Sequence, residues 1–195
     1  MDVRLWQAVA DSFRQSDIDG AARLLETTLI SLEADHFAGL VGLSFTNRPR
    51  SILDELNKFI QRCEQKFPAK AIYLEMNAFD INYDRWYFDL FGYSSCTEDP
   101  EDLEWLCSWQ STPWPKVALT GLKAVQADFA WYEKNEMWQD TKHAHIHEIA
   151  TLLVMVRFLA LIQAAVKSGP LIKPIPILAA VHDFDIVWRS TWQPR

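Results

Sequence analysis

The sequence predicts an α+β fold in which helices and strands occupy separate stretches of the chain. Helical periodicity, with apolar residues three or four positions apart, fills the first third of the chain and returns after residue 120. Between these stretches, residues 71–80 and 85–93 are rich in aromatic side chains and are joined by turn residues, as in a β-hairpin. Segregated helices and strands are typical of an α+β domain, since regular βαβ folds alternate the two.

Three amphipathic helices are predicted within residues 1–66. The first carries an apolar stripe formed by Val3, Trp6, Ala10 and Phe13. Ser16 and Asp17 have the side-chain oxygens that cap a helix N-terminus, so a second helix is expected to begin there. A third helix is expected to begin at about Pro49 and to end before Pro68.

The central segment is predicted to be a hairpin with one further element of ambiguous type. With the turn centred on Asn82 and Tyr83, cross-strand positions sum to about 165, which places Glu75 opposite Leu90. In residues 103–109, apolar side chains alternate with polar ones and predict a third strand, but a short helix after Pro100 fits the same residues.

Two further helices and a final strand complete the predicted fold. One helix begins near Thr120, and a second, fully buried, runs from about His143 to Lys167 and ends at the signal Ser168–Gly169–Pro170. Residues 177–181 form a short apolar strand. We therefore expect N-terminal helices, an antiparallel hairpin-based sheet, two more helices and a C-terminal strand in one domain, 1–195, with 1–66 as a candidate helical subdomain.

Composition excludes several classes of protein. The chain has 195 residues, 49% of them hydrophobic, and such a chain can bury a large core, so intrinsic disorder is excluded. Its formal net charge of −7 and sequence pI near 5.2 disfavour a nucleic-acid partner, because phosphate backbones require a basic surface. An acidic, tryptophan-rich protein is better suited to a basic protein partner.

The chain also carries information on its compartment. Residues 149–166 are almost entirely apolar, but Arg157 lies at their centre, which favours a core helix over a membrane span. The three cysteines form no CxxC pair, and the N-terminus lacks a signal peptide. We expect a cytoplasmic protein with no membrane partner and no cofactor, and the oligomeric state is left open.

Histidines provide the first candidate site. His143 and His147 are four residues apart, so on a helix they share the face that can bind one zinc ion, and Glu148 adjoins them. His182 or Asp183, after the last strand, could supply a third ligand, which gives a metal-dependent hydrolase as the alternative function. The competing interpretation is that Asp140 caps a solvated helix and that the residues after the strand form a turn.

A block of carboxylates and aromatic residues provides the second candidate site. Acidic and amide side chains alternate with aromatic ones at Glu75, Asn77, Asp80, Asp84 and Asp89. Two converging carboxylates could act as the acid and base of a glycosidase, but the predicted register brings no such pair together.

The same block predicts a protein-binding surface. Tryptophans are enriched at interface hot spots, and here they adjoin an acidic loop. The predicted binding residues are Trp86, Trp105, Trp109, Glu98, Asp99, Glu101 and Asp102. A basic partner, such as a nuclease toxin, would suit this surface. By compositional analogy we expect an interaction protein of the bacterial immunity or inhibitor type, although aromatic residues in a strand-rich region can equally form the core.

Overall fold

Five α-helices and a five-stranded mixed sheet form the part of the chain that the computed structural model describes, which is residues 3–14, 17–97, 99, 102–110, 114–184 and 187–190. The helices are α1 (Val3–Arg14), α2 (Ile18–Ser31), α3 (Pro49–Glu64), α4 (Lys123–Lys134) and α5 (Thr141–Lys167). The strands are β1 (Ala71–Met76), β2 (Tyr87–Tyr93), β3 (Val117–Ala118), β4 (Ile177–Val181) and β5 (Trp188–Arg189). This confirms the predicted α+β class, with 50% helix and 13% strand.

The sheet has the strand order β3-β2-β1-β4-β5. β1 and β2 form the predicted antiparallel hairpin, and β4 lies parallel to β1 on its other side. The two-residue strands β3 and β5 form the edges and pair antiparallel with β2 and β4. Short edge strands limit pairing with a further chain, because they expose few unpaired backbone groups.

The hairpin register differs by one residue from the predicted one. Ala71 pairs with Tyr93, and Glu75 pairs with Asp89 rather than with Leu90. The prediction was wrong because the connection between β1 and β2 spans residues 77–86, and a loop of that length does not set the register in the way a two-residue turn does. The observed register places two carboxylates opposite each other.

Helix boundaries follow the predicted capping residues. The Asp17 side chain accepts a hydrogen bond from the amide of Gly20 (2.8 Å) at the start of α2, and Asp140 accepts one from the amide of His143 (2.9 Å) at the start of α5. Pro49 begins α3, whose apolar face is entirely buried. The two aspartates satisfy amide groups that have no partner within the helix.

The described residues fall into two compact units. The helical unit comprises residues from 1–46, 78–86 and 119–160, and the sheet unit comprises residues from 47–77, 87–118 and 161–195. All five strands and α3 belong to the sheet unit. The single domain and the candidate subdomain over residues 1–66 stay predictions.

In the sheet unit, α3 packs closely against β2. A Cβ atom on Gly92 would lie 2.7 Å from the Sγ of Cys63, so glycine at this position allows the helix and strand to approach. The side chains of β1 and β2 that share this face, among them Ile72, Leu74 and Phe88, are completely buried. One face of the sheet is therefore core.

Two short segments, residues 104–107 and 117–118, have a structure that the sequence pattern did not determine. Residues 104–107 form a 3-10 helix, so the short-helix alternative for this segment is confirmed and the strand alternative is wrong. The segment Val117–Ala118, which sequence patterns did not predict as a strand, pairs with Tyr87 and Phe88 at the start of β2. Two residues are too few to show alternation in a sequence.

Helix α5 has the length and composition of a membrane span, and 72% of its most apolar 18-residue window is buried within the structure. Burial of this extent is typical of a core helix.

Candidate functional site

One face of the sheet carries charged and aromatic side chains that are only partly buried. Alternate residues of a strand point to the same face, and directly paired residues share it. The pairing of β1 with β2 and β4 therefore brings together residues from β1, β2 and the turn that follows β4, joined by a tryptophan from the loop after β2. We call this group the sheet-face cluster: Tyr73, Glu75, Asp89, Phe91, Trp109 and His182.

A pair of carboxylates lies at the centre of this cluster. Glu75 and Asp89 are direct cross-strand partners and are both partly exposed. An oxygen of Glu75 lies 3.2 Å from Nδ1 of His182. Asp89 has no ion pair or side-chain hydrogen bond within the part of the chain that the structure describes. Like charges directly opposite each other are unfavourable in a sheet, so this arrangement favours the approach of a cation.

Aromatic rings lie beside the carboxylate pair. Tyr73 is the cross-strand partner of Phe91, and their ring centroids are 5.9 Å apart. Trp109 packs edge-on against Phe91 at 5.7 Å and remains 55% exposed. The amide of Gln110 donates to the carbonyl oxygen of Gly92 (2.9 Å), which holds this loop beside β2. Trp109 is thus a supported side chain with a solvent-exposed surface.

The loop after β2 covers the end of this sheet face near Tyr93. Trp105 packs edge-on against the buried Tyr93, with centroids 4.8 Å apart, and the Tyr93 hydroxyl donates to the carbonyl oxygen of Leu106 (2.8 Å). Burial, followed by the negative charge of Glu75, raises the pKa of both Tyr73 and Tyr93. Both phenols therefore stay neutral at physiological pH, so the negative charge of this face comes from its carboxylates.

The segment that contributes β2 and the loop is strongly acidic. Between Arg85 and Lys116 there is no lysine or arginine, and the segment has six acidic residues: Asp89, Glu98, Asp99, Glu101, Asp102 and Glu104. Asp99, Asp102 and Glu104 are exposed, whereas Glu98 and Glu101 lie outside the described residues.

One of the predicted binding residues belongs to the core. Trp86 is only 2% exposed, and its indole nitrogen donates to the carbonyl oxygen of Phe79 (3.0 Å). Its ring packs edge-on against Phe79 and Phe129 in the helical unit. The prediction that Trp86 contributes to a binding surface is wrong, because its aromatic neighbours enclose it.

The two helix histidines have different environments. Nδ1 of His143 lies 2.7 Å from the Asp140 carboxylate. The pKa of Asp140 is lowered first by the hydrogen bond from the backbone amide of His143 and second by this side-chain interaction. His147 stacks on Tyr132 with centroids 3.9 Å apart, and its Nε2 has no hydrogen-bond partner. Burial lowers the pKa of His147 to about 4. His147 is therefore a partly buried imidazole whose Nε2 is shielded from solvent.

The structure does not assemble the predicted metal ligands into a site. Among the described residues, no three His, Cys, Asp or Glu side chains are grouped so that they could hold a metal ion. His182 interacts with Glu75, and Asp183 has a left-handed backbone (φ 66°) in the turn after β4. Glu148 lies 3.8 Å from His145. The left-handed backbone of Asp183 thus supports the interpretation that the residues after β4 form a turn.

The sequence identified most residues of the sheet-face cluster as candidates but did not show that they lie together. Glu75 and Asp89 were in the aromatic and acidic block, but the register error separated them. The contact between His182 and Glu75 depends on the parallel pairing of β1 with β4, which are about a hundred residues apart in the chain. The alternation of side chains along β1 and β2 is the sequence signal that could have identified the cluster. In the observed register, this alternation places Tyr73, Glu75, Asp89 and Phe91 on one face.

No family model, no curated protein and no solved structure matches this chain.

Proposed function

We propose that the protein is a binding protein that recognises a basic protein partner through the sheet-face cluster and the adjoining acidic loop. The observation that carries this proposal is the direct pairing of Glu75 with Asp89 on the sheet face where the exposed Trp109 packs against Phe91. Such a role is of the kind that bacterial immunity and inhibitor proteins have.

An exposed and supported tryptophan has the properties of an interface anchor. Hot spots at protein interfaces are enriched in tryptophan, tyrosine and arginine, and they lie at the centre of the contact. Trp109 packs against Phe91, and the hydrogen bond from Gln110 to Gly92 holds the adjoining backbone. Because these contacts already restrict the side chain, a partner that covers it pays less conformational entropy.

The charge around Trp109 determines which partner fits. Asp99, Asp102 and Glu104 are exposed in the loop, and Glu75 and Asp89 lie on the sheet. Acidic groups of this number accelerate association with a basic surface, and the effect weakens as ionic strength rises. A partner with a lysine- or arginine-rich face therefore complements this surface, and an acidic partner does not.

The proposal is tested by capture on the immobilised full chain from a lysate of its native host, followed by titration calorimetry with the purified captured protein. We expect a basic protein whose affinity falls at least thirtyfold with Trp109→Ala, the effect of losing a hot spot of about 2 kcal/mol. Asp89→Asn is expected to weaken binding and to reduce its dependence on salt.

Two matched substitutions serve as controls. Trp138→Ala removes a tryptophan of similar exposure, 48%, from the helical unit, and Asp84→Asn neutralises an exposed carboxylate outside the cluster. Both are expected to leave the affinity unchanged. The proposal is overturned if every captured protein binds the Trp109→Ala and Asp89→Asn variants as tightly as the unmodified chain.

A further inference from the structure

We infer that the sheet-face cluster is a subsite for one arginine side chain of the partner, an inference that rests on the proposed function and specifies its chemistry. The carboxylate pair would bind the guanidinium group, and the neighbouring aromatic rings would contact its planar face and the aliphatic part of the side chain.

The spacing of the two rows of side chains suits a guanidinium group. Glu75 and Asp89 form one cross-strand row, and Tyr73 and Phe91 form the next row on the same face. Rows on one face are ~7 Å apart, because they are separated by two residues along each strand. A planar cation between these rows can donate hydrogen bonds to carboxylates and also contact a ring.

Among the described residues, the lysine and arginine that lie on this face are engaged elsewhere. The Lys116 ammonium lies 2.6 Å from the Tyr87 hydroxyl and 3.9 Å from the centre of its ring. Arg189 donates to the carbonyl oxygen of Thr97 (2.9 Å). His182 contacts only the Glu75 side of the carboxylate pair in the described structure, so Asp89 is left to a cation from outside.

Arginine fits this subsite better than lysine for two physical reasons. The guanidinium group is planar and presents several donors in a fixed geometry, so it can bridge Glu75 and Asp89 and lie against Phe91 or Trp109. An ammonium group is a strongly hydrated point charge, and it loses more hydration when it approaches a ring. The contact between Lys116 and Tyr87 already shows one aromatic ring of this face acting as a platform for a cation.

The inference is tested by NMR titration of the full chain with three blocked amino acids: N-acetylarginine methylamide and the corresponding lysine and citrulline compounds. Citrulline has nearly the shape of arginine but lacks its charge. The reporter is the indole N–H signal of Trp109, assigned from its loss in Trp109→Phe.

We expect saturable binding of the arginine compound with a Kd on the order of millimolar, since a single side chain provides few contacts. The lysine compound is expected to bind roughly fivefold more weakly, because it lacks the planar fork. Citrulline is expected to give no saturable shift. Asp89→Asn should abolish the arginine response, and the control Asp84→Asn should leave it intact.

Equal responses to arginine and citrulline, or an arginine response unchanged by Asp89→Asn, would overturn the inference. The proposed function is tested separately, by measuring the affinity of the captured partner for the Trp109→Ala variant. If that affinity falls while the arginine compound gives no response at Trp109, the protein-binding surface stands and the arginine subsite is rejected. If every captured protein also binds the Trp109→Ala and Asp89→Asn variants as tightly as the unmodified chain, both proposals fail.

Discussion

Trp86 and Trp109 have the same side chain and lie in the same acidic stretch of sequence, yet they have opposite environments. Trp86 is 2% exposed, and its indole nitrogen donates a hydrogen bond to the carbonyl oxygen of Phe79. Trp109 is 55% exposed and packs edge-on against Phe91. An aromatic residue surrounded by other aromatics stabilises the fold, and one with carboxylates beside it and an open surface is available to a partner. The comparison shows that tryptophan content by itself does not identify a binding surface.

The largest expected effect is the loss of the buried tryptophan. Trp86→Ala removes a ring packed against Phe79 and Phe129, so we expect the free energy of unfolding to fall by about 3–5 kcal/mol. Trp109→Ala is expected to cost about 0.5 kcal/mol, as is usual for an exposed residue. Urea denaturation followed by circular dichroism measures both values. Equal losses for the two variants would show that the assignment of core and surface is wrong.

The second prediction concerns His147, which belongs to the same buried aromatic group as Trp86 through Phe129. Its folded pKa of about 4 lies below its ordinary value of 6.5, so between these values the unfolded chain binds a proton that the folded chain does not. Stability present above pH 6.5 is therefore lost as pH falls towards 4, by on the order of 3 kcal/mol for a shift of this size.

His147→Phe isolates this contribution. Phenylalanine can keep the stacking on Tyr132, and it removes both the titrating group and the unpaired Nε2. We expect the variant to lose less stability than the unmodified chain between pH 6.5 and 4, in urea titrations at several pH values. His145→Gln, a substitution at a more exposed position of the same helix, is expected to retain the original slope. A His147→Phe variant with the unmodified slope would contradict the burial of this imidazole.

The smallest expected effect concerns the carboxylate pair on the open face. Asp89→Asn removes the repulsion from Glu75, so we expect the free energy of unfolding to rise by a few tenths of a kcal/mol at low salt. The gain is expected to shrink at high salt, because partly exposed charges are screened. A double-mutant cycle with Glu75→Gln measures the coupling directly. A destabilising Asp89→Asn would instead identify Asp89 as a structural residue, unlike Trp109.

The histidines follow the same division between buried and open groups. Spacing alone placed His143 and His147 on one helical face and suggested a shared metal ion. In the structure His143 interacts with the capping residue Asp140, and His147 is enclosed by aromatic rings. Spacing along a helix predicts which residues share a face, but it does not predict what packs against that face.

The sequence by itself determined the local structure of this protein. The caps at Asp17 and Asp140, the start of α3 at Pro49 and the hairpin in residues 71–93 follow from hydrogen bonding and periodicity within a few residues. These features depend on interactions between near neighbours, and so they can be predicted from neighbouring residues.

Only the tertiary structure decided which side chains meet. The register that pairs Glu75 with Asp89 depends on how both strands pack against the core, and the contact with His182 depends on parallel pairing with a strand about a hundred residues away. The burial of Trp86 and the exposure of Trp109 likewise depend on distant segments. A change of register by one residue reverses the face of every side chain in a strand, so the pairing of the strands determines which side chains form the candidate site.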